Sequence, residues 1–413
     1  MIYTQQEFIK LFKLNKTISF EDFSQQLSVL NGSDTSGAFV VRSDLDTFVN
    51  RVAKKDDRKS RLDTYKRKLY KMIVEEPEVA LGEWFKRTAA ITENLDYYFQ
   101  IPDADILDGD TFAGRTNAKY GRICKNINFE KFFNTKKLYT NDFEYVFGMM
   151  KAMFEDFKLR NSLVGPAFFD HICKIDGDYG QFWTDFMMGC NRASIFNPAT
   201  YKGIVDELFE GDTLFAPVMG WNAYQLAFYS TKFKHFVATD VIPEVVKNGK
   251  ELHKEWQAYA DRSLFEVPEK TVKLYCCPSE DLARATDFVA MYQNKVDAVL
   301  FSPPYYDLEI YDSEDQSFTN YPDYNDWLLK YWEATVMIAK QVLRPGGRFA
   351  FVISNYRNKA KEEVTISQDM RDVVETHFGA PKHYKVQWSA IASGRQAKKT
   401  RDGNFEDLWL FEK

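Results

Sequence analysis

Val296-Asp297-Ala298-Val299-Leu300-Phe301 runs directly into Ser302-Pro303-Pro304-Tyr305. A short apolar run ending at two consecutive prolines predicts a buried strand with a hard stop. Proline has no N–H for a ladder and fixes its own φ. Upstream, similar runs alternate with helical patterns. Thr213-Leu214-Phe215-Ala216-Pro217-Val218 precedes a helix from about Asn222, and His235-Phe236-Val237-Ala238-Thr239-Asp240 precedes one through Val246 to Trp256. Thr271-Val272-Lys273-Leu274-Tyr275 leads to a helix near Asp281. Downstream, a long helix from Asp323 to Leu343 feeds Arg348-Phe349-Ala350-Phe351-Val352-Ile353. Strand alternating with helix predicts an α/β fold, a mostly parallel sheet covered on both faces. The last runs, Tyr384 to Ile391 and Asp407 to Phe411, have no helix between them, so an antiparallel C-terminal hairpin is expected to close the sheet.

The chain's 413 residues allow two or three domains at roughly 150 residues each. A hydrophobic content of 45% with 16% aromatics excludes a disordered chain. Lys+Arg 54 against Asp+Glu 60 leaves −6, which excludes a basic nucleic-acid coat protein but not a local basic patch. No apolar run approaches the roughly 20 residues that span a bilayer, so no membrane association is expected. The start, Met1-Ile2-Tyr3-Thr4-Gln5-Gln6-Glu7, lacks a secretory pattern, and a cytoplasmic location is expected. Cys124, Cys173, Cys190, Cys276 and Cys277 form no disulfide framework, and His171, His235, His253, His377 and His383 are scattered, so no metal site is expected.

Residues 1–190 read as a mainly helical N-terminal domain, and 191–413 as the α/β domain. Thr4-Gln5-Gln6-Glu7 fits a capping box, Ser19 to Asp22 repeats the signal, and Asp142 to Leu159 has helical periodicity. Residues 44–75 concentrate Lys54, Lys55, Arg58 and Arg61 with further cations, either a phosphate-contacting surface or a solvated helix face.

Open parallel sheets bind ligands outside the carboxyl ends of their strands. Three such ends carry suggestive residues: Met219-Gly220-Trp221-Asn222, Asp240, and Ser302-Pro303-Pro304-Tyr305. The last closely resembles the catalytic loop of the S-adenosylmethionine-dependent amino-methyltransferases, which modify exocyclic amines of bases in DNA. The resemblance covers residues 194 to 413 and implies a Rossmann-like methyltransferase fold with S-adenosylmethionine as cofactor. It implies that the Ser302 hydroxyl and Pro303 carbonyl accept hydrogen bonds from the target NH2. Pro304 helps to rigidify the loop, and the flipped base stacks on Tyr305.

The resemblance implies further cofactor contacts. Phe196-Asn197-Pro198-Ala199 is similar to the segment that packs on the methionine part. Ala216-Pro217-Val218-Met219-Gly220-Trp221-Asn222 stands where the family has Asp-Pro-Phe-x-Gly-x-Gly; Pro217 and Gly220 are kept, whereas Ala216 replaces the acid and Asn222 the second glycine. Asp240 fits the acid that receives the ribose hydroxyls, or else a helix cap. Ser279 or Glu280 falls where the adenine is touched, or else caps a helix. Arg395, Lys398, Lys399 and Arg401 form a basic loop, read either as a DNA-backbone contact or as a solvated segment. DNA is the partner the family implies.

Serine at the head of the tetrapeptide leans toward cytosine N4, with adenine N6 the close alternative. RNA-base methylation and an inactive nucleic-acid-binding module remain further readings. Cytosine-C5 chemistry would need a Pro-Cys loop, and a dehydrogenase a GxGxxG turn; neither is present. A DNA-modification enzyme, as in restriction-modification, with residues 1–190 reading the target is therefore the expectation.

Overall fold

The computed structural model describes residues 4–10, 19–22, 64, 67, 68, 70–88, 95–114, 119–128, 194–308, 315–357, 362–387 and 405–413. Lys54, Lys55, Arg58, Arg61, the 142–159 periodicity, Arg395, Lys398, Lys399 and Arg401 lie outside them. The chain forms two compact units, residues 91–132 with 194–413, and residues 2–90 with 133–193.

The described elements of the second unit are helical. The capping box is made: Glu7 N–H donates to Thr4 Oγ1 at 3.2 Å and Thr4 N–H to Glu7 Oε2 at 2.9 Å. It starts helix Gln5–Lys10, which packs on Pro77–Thr88. At the repeated signal, Asp22 N–H donates to Ser19 Oγ at 3.1 Å.

The first unit is built on one nine-stranded sheet. Its strands are β1 (Leu107–Asp108), β2 (Thr111–Phe112), β3 (Thr213–Ala216), β4 (His235–Asp240), β5 (Thr271–Cys276), β6 (Val296–Phe301), β7 (Leu343–Ile353), β10 (Lys382–Gln387) and β11 (Phe405–Glu412). A small separate hairpin pairs β8 (Tyr356–Arg357) with β9 (Glu363–Val364). The order is β1-β2-β10-β11-β7-β6-β3-β4-β5. Strands β5, β4, β3, β6 and β7 are parallel, and β11 inserts antiparallel between β7 and β10. The α/β sheet and C-terminal hairpin are thus as expected. Strands β1 and β2, from residues 107–112, add an outer flank that the sequence did not signal.

Chain order reverses between β3 and β6. Right-handed crossovers leave in opposite directions from there and place their helices on opposite faces. Pro198–Leu208, Ala223–Phe228, Pro243–Arg262 and Lys119–Ile127 form one group; Phe288–Tyr292, Ala334–Val342 and Ile366–Phe378 belong to the other side. Every residue of β3 is buried, as a strand covered on both faces requires. On the second face Trp332 packs against Phe301, Phe349 and Phe351. The helix expected from Asp323 to Leu343 runs without a break from Tyr324 to Val342, but its middle, Trp327–Glu333, is wound as a π-helix. Among the described residues no helix is long and apolar enough to cross a membrane, and no acid, His and Cys cluster could hold a metal.

Candidate active site

At the switch between β3 and β6, the carboxyl ends of the strands open into a cavity of about 350 Å³. That volume lies within the size range of small-molecule and cofactor sites. Ser302, Pro303, Pro304, Tyr305, Phe196, Pro217, Gly220, Asp240, Ser279 and Glu280 all line it. Pro198, Ala216 and Asn222 do not. Pro198 opens helix Pro198–Leu208, Ala216 ends β3 fully buried, and Asn222 is fully buried behind the wall. These three brace the cavity and do not face it.

The turn after β3 carries three successive residues in the left-handed region: Gly220 (φ 52°), Trp221 (φ 58°) and Asn222 (φ 64°). Outside glycine each costs about 1–2 kcal/mol, so surrounding contacts must hold the turn. Asn128 Nδ2 donates to the Trp221 carbonyl at 3.1 Å and to Asn222 Oδ1 at 2.9 Å, and Asn222 Nδ2 donates to the Val245 carbonyl at 3.2 Å. Asn248 Nδ2 in turn donates to Asn128 Oδ1 at 3.1 Å. This amide network is buried, and it fixes the backbone that forms the cavity wall. Gly220 has a second constraint. A Cβ there would lie 2.5 Å from the Tyr224 ring.

Tyr224 explains how the proline elbow is held. Strand β3 pairs with β6 only at Leu214–Ala298 and Phe215–Val299, so the end of β6 has no ladder partner on that side. Two stacked tyrosines, with ring centroids 4.5 Å apart, supply the missing bonds. Tyr201 Oη donates to the Leu300 carbonyl at 2.8 Å, and Tyr224 Oη accepts the Ser302 N–H at 3.0 Å. Phe196 meets both rings edge-on. Beyond Pro304, Tyr305 Oη donates to Glu406 Oε1 at 2.7 Å and accepts the Ser354 N–H at 3.0 Å. Burial, with Glu406 beside it, raises the Tyr305 phenol well above its ordinary pKa, so it stays protonated. Tyr306 follows in the left-handed region (φ 42°), its ring set edge-on against Phe318, Tyr324 and Trp327 and its hydroxyl donating to the Pro322 carbonyl.

Asp240 ends β4 and ties two loops together. Its carboxylate accepts the Ile242 N–H at 3.0 Å and the Met219 N–H at 3.3 Å. Burial dominates these bonds and pushes its pKa up to about 6. Glu280, after β5, is pushed up to about 7, by burial first and also by the neighbouring Asp281 charge. Ser279 is hydrogen-bonded to Thr335 Oγ1 at 2.8 Å.

Several lining residues carry no sequence signal: Tyr224, Gln316, Phe318, Tyr331, Val386, Gln387 and Glu406. Spacing cannot find them, because each reaches the site through tertiary packing. Gln387 and Phe405 are register partners in β10 and β11, and Gln387 and Glu406 line the cavity.

No protein-family model matches the chain, and no curated protein is similar to it in sequence. Among solved structures it is similar to TrmN of Thermus thermophilus (13% identity, TM-score 0.33, over 52% of this chain and 48% of that one). It is also similar to 1,6-didemethyltoxoflavin-N1-methyltransferase of Burkholderia thailandensis, solved with 1,6-didemethyltoxoflavin and S-adenosylhomocysteine (14%, 0.29, 52% and 76%). A methyltransferase of Pyrococcus furiosus is a third (12%, 0.32, 52% and 82%). The chain spans about half the length of TrmN. Likeness at these scores carries no argument about chemistry, which rests on the cavity itself.

Proposed function

We propose that the chain is an S-adenosylmethionine-dependent methyltransferase acting on the exocyclic amine of a flipped DNA base, cytosine N4. One observation carries this reading: the Ser302-Pro303-Pro304-Tyr305 elbow and the half-buried acid Asp240 line the same cavity at the switch point of the sheet. The donor set fits the cofactor. Asp240 is a half-buried carboxylate with two backbone donors, and ribose hydroxyls would satisfy its remaining lone pairs. Phe196, Trp221 and Tyr224 give aromatic walls compatible with a sulfonium cation. Ser279 and Glu280 stand at the end of β5, beside Asp240 at the end of β4, where an adenine would lie. S-adenosylmethionine, when bound, supplies an electrophilic methyl group.

The chain's own residues then prepare the nucleophile. Ser302 Oγ and the Pro303 carbonyl accept hydrogen bonds from the two amine N–H groups, which localises the nitrogen lone pair outside the ring. Prolines at 303 and 304 and the Tyr224 hydroxyl on Ser302 N–H preorganise these acceptors. Tyr305, tied back through its hydroxyl, offers a fixed face for the base. Arg395, Lys398, Lys399 and Arg401 contact the DNA backbone. Residues 2–90 and 133–193, with Lys54, Lys55, Arg58 and Arg61, read the target, and residues 91–132 with 194–413 form the catalytic unit.

Incubation with DNA and methyl-labelled cofactor, then digestion to nucleosides and mass analysis, tests this. N4-methylcytosine is expected. N6-methyladenine moves the target to the alternative base, and label in RNA alone moves it to RNA. A chain that binds no cofactor at high micromolar concentration is an inactive module, and the reading fails.

A further inference from the structure

One wall of the cavity holds a polar group that neither the elbow nor Asp240 uses. Tyr331 lines the cavity with only 2% of its surface exposed, and its hydroxyl has no hydrogen-bond partner among the described residues. The Glu280 charge bears on the phenol and the Ser279 side chain is its nearest hydrogen-bonding neighbour, yet the Ser279 hydroxyl is engaged with Thr335 at 2.8 Å. A buried hydroxyl without a partner destabilises the free protein, and such atoms persist where function supplies the partner.

The backbone gives an independent pointer. Tyr331 lies inside the π-helical stretch Trp327–Glu333, a rare winding that is frequent at functional sites. Trp327 braces its ring at 5.0 Å. The sheet order sets which part of a ligand reaches this wall. Strand β6 carries the elbow, β4 carries Asp240, and β5 leads to Ser279 and Glu280, so a ligand laid along the strand ends presents its ribose at Asp240 and its base beyond.

We propose that Tyr331 is a specificity residue for the purine of the cofactor, its hydroxyl donating a hydrogen bond to a ring nitrogen of adenine. The proposal rests on the methyltransferase reading and deepens it at the same site. Adenine offers unprotonated ring nitrogens, and the phenol O–H is a single donor that burial keeps protonated. No bond is made or broken; the effect is on binding alone.

Calorimetric titration of the full chain with S-adenosylhomocysteine tests it. Tyr331→Phe should raise Kd about tenfold, while the thermal midpoint without ligand stays the same or rises, since the variant removes only an unsatisfied hydroxyl. The 1-deaza, 3-deaza and 7-deaza analogues, each lacking one ring nitrogen, supply a second measurement on the unaltered chain. One of them should bind about tenfold more weakly than the parent and be indifferent to Tyr331→Phe. If the unaltered chain binds S-adenosylhomocysteine and Tyr331→Phe binds it equally well, the role of Tyr331 is overturned alone. Equal binding of all three analogues and the parent by the unaltered chain overturns it too. If the unaltered chain binds none of these ligands, the methyltransferase reading falls with it.

Discussion

The two loops that flank the switch point are held by opposite means. After β3, the turn Gly220-Trp221-Asn222 adopts three left-handed conformations and is clamped by buried side-chain amides. After β6, the elbow is stiffened by its own prolines, and its backbone polar groups are met by two stacked tyrosines. The first is a strained backbone stabilised from outside. The second is rigid by composition and needs only anchoring. Tyr224 joins them, since its ring fills the space that the absent Gly220 side chain leaves and its hydroxyl holds Ser302.

The contrast can be broken at either end. Ser302→Ala should have the largest effect, lowering turnover about 100- to 1000-fold, the scale of losing one preorganised polar group, while the cofactor Kd measured by calorimetry stays nearly unchanged. A comparable loss of cofactor binding would mean that the elbow does not face the base. Gly220→Ala adds a left-handed alanine and a contact at 2.5 Å with Tyr224, so denaturant unfolding should show a loss of about 2–4 kcal/mol. If stability is kept, the two loops are not coupled through Tyr224.

Acid titration sharpens the turn's side of the comparison. Asp240 has a native pKa raised to about 6 from 3.8, so the unfolded chain gives up its proton first as the pH rises. Stability from this group is full below about pH 4 and is lost through about pH 6, by up to about 3 kcal/mol. Asp240→Asn should remove that slope from unfolding curves taken across this range. Asp240→Ala should raise the cofactor Kd about 10- to 30-fold with the turnover of the saturated enzyme little changed; an unaltered Kd would rule out the ribose role. The smallest effect is expected of Tyr305→Phe, which keeps the ring but loses the bonds to Glu406 and Ser354. Turnover should fall about threefold, as for one net hydrogen bond.

What the sequence made legible follows from where each residue's partners lie. The elbow is readable because proline acts on its own backbone, and Asp240 because a strand's end is marked by its periodicity. Asn222, read as a replacement for a glycine, adopts the left-handed conformation that asparagine tolerates better than most residues. Its position behind the wall was not readable, because Asn128 and Val245 reach it from other elements. Tyr201 and Tyr224 look like ordinary core aromatics in a helical pattern. Only the shortness of β3 against β6 gives their hydroxyls a task. The π-helical winding at Trp327–Glu333 is likewise invisible to a 3.6-residue period.

The flank of the sheet has a consequence for how the molecule is assembled. Thr111 and Phe112 pair in parallel with Lys385 and Val386, about 270 residues later in the chain. Pairings so remote in sequence close slowly, because the loop entropy is lost before any contact compensates it. During synthesis β1 and β2 must therefore wait, unpaired on that side, until the hairpin of β10 and β11 has been made. A ribosome-bound fragment ending before residue 382 would expose this incomplete edge and be the form most prone to aggregate.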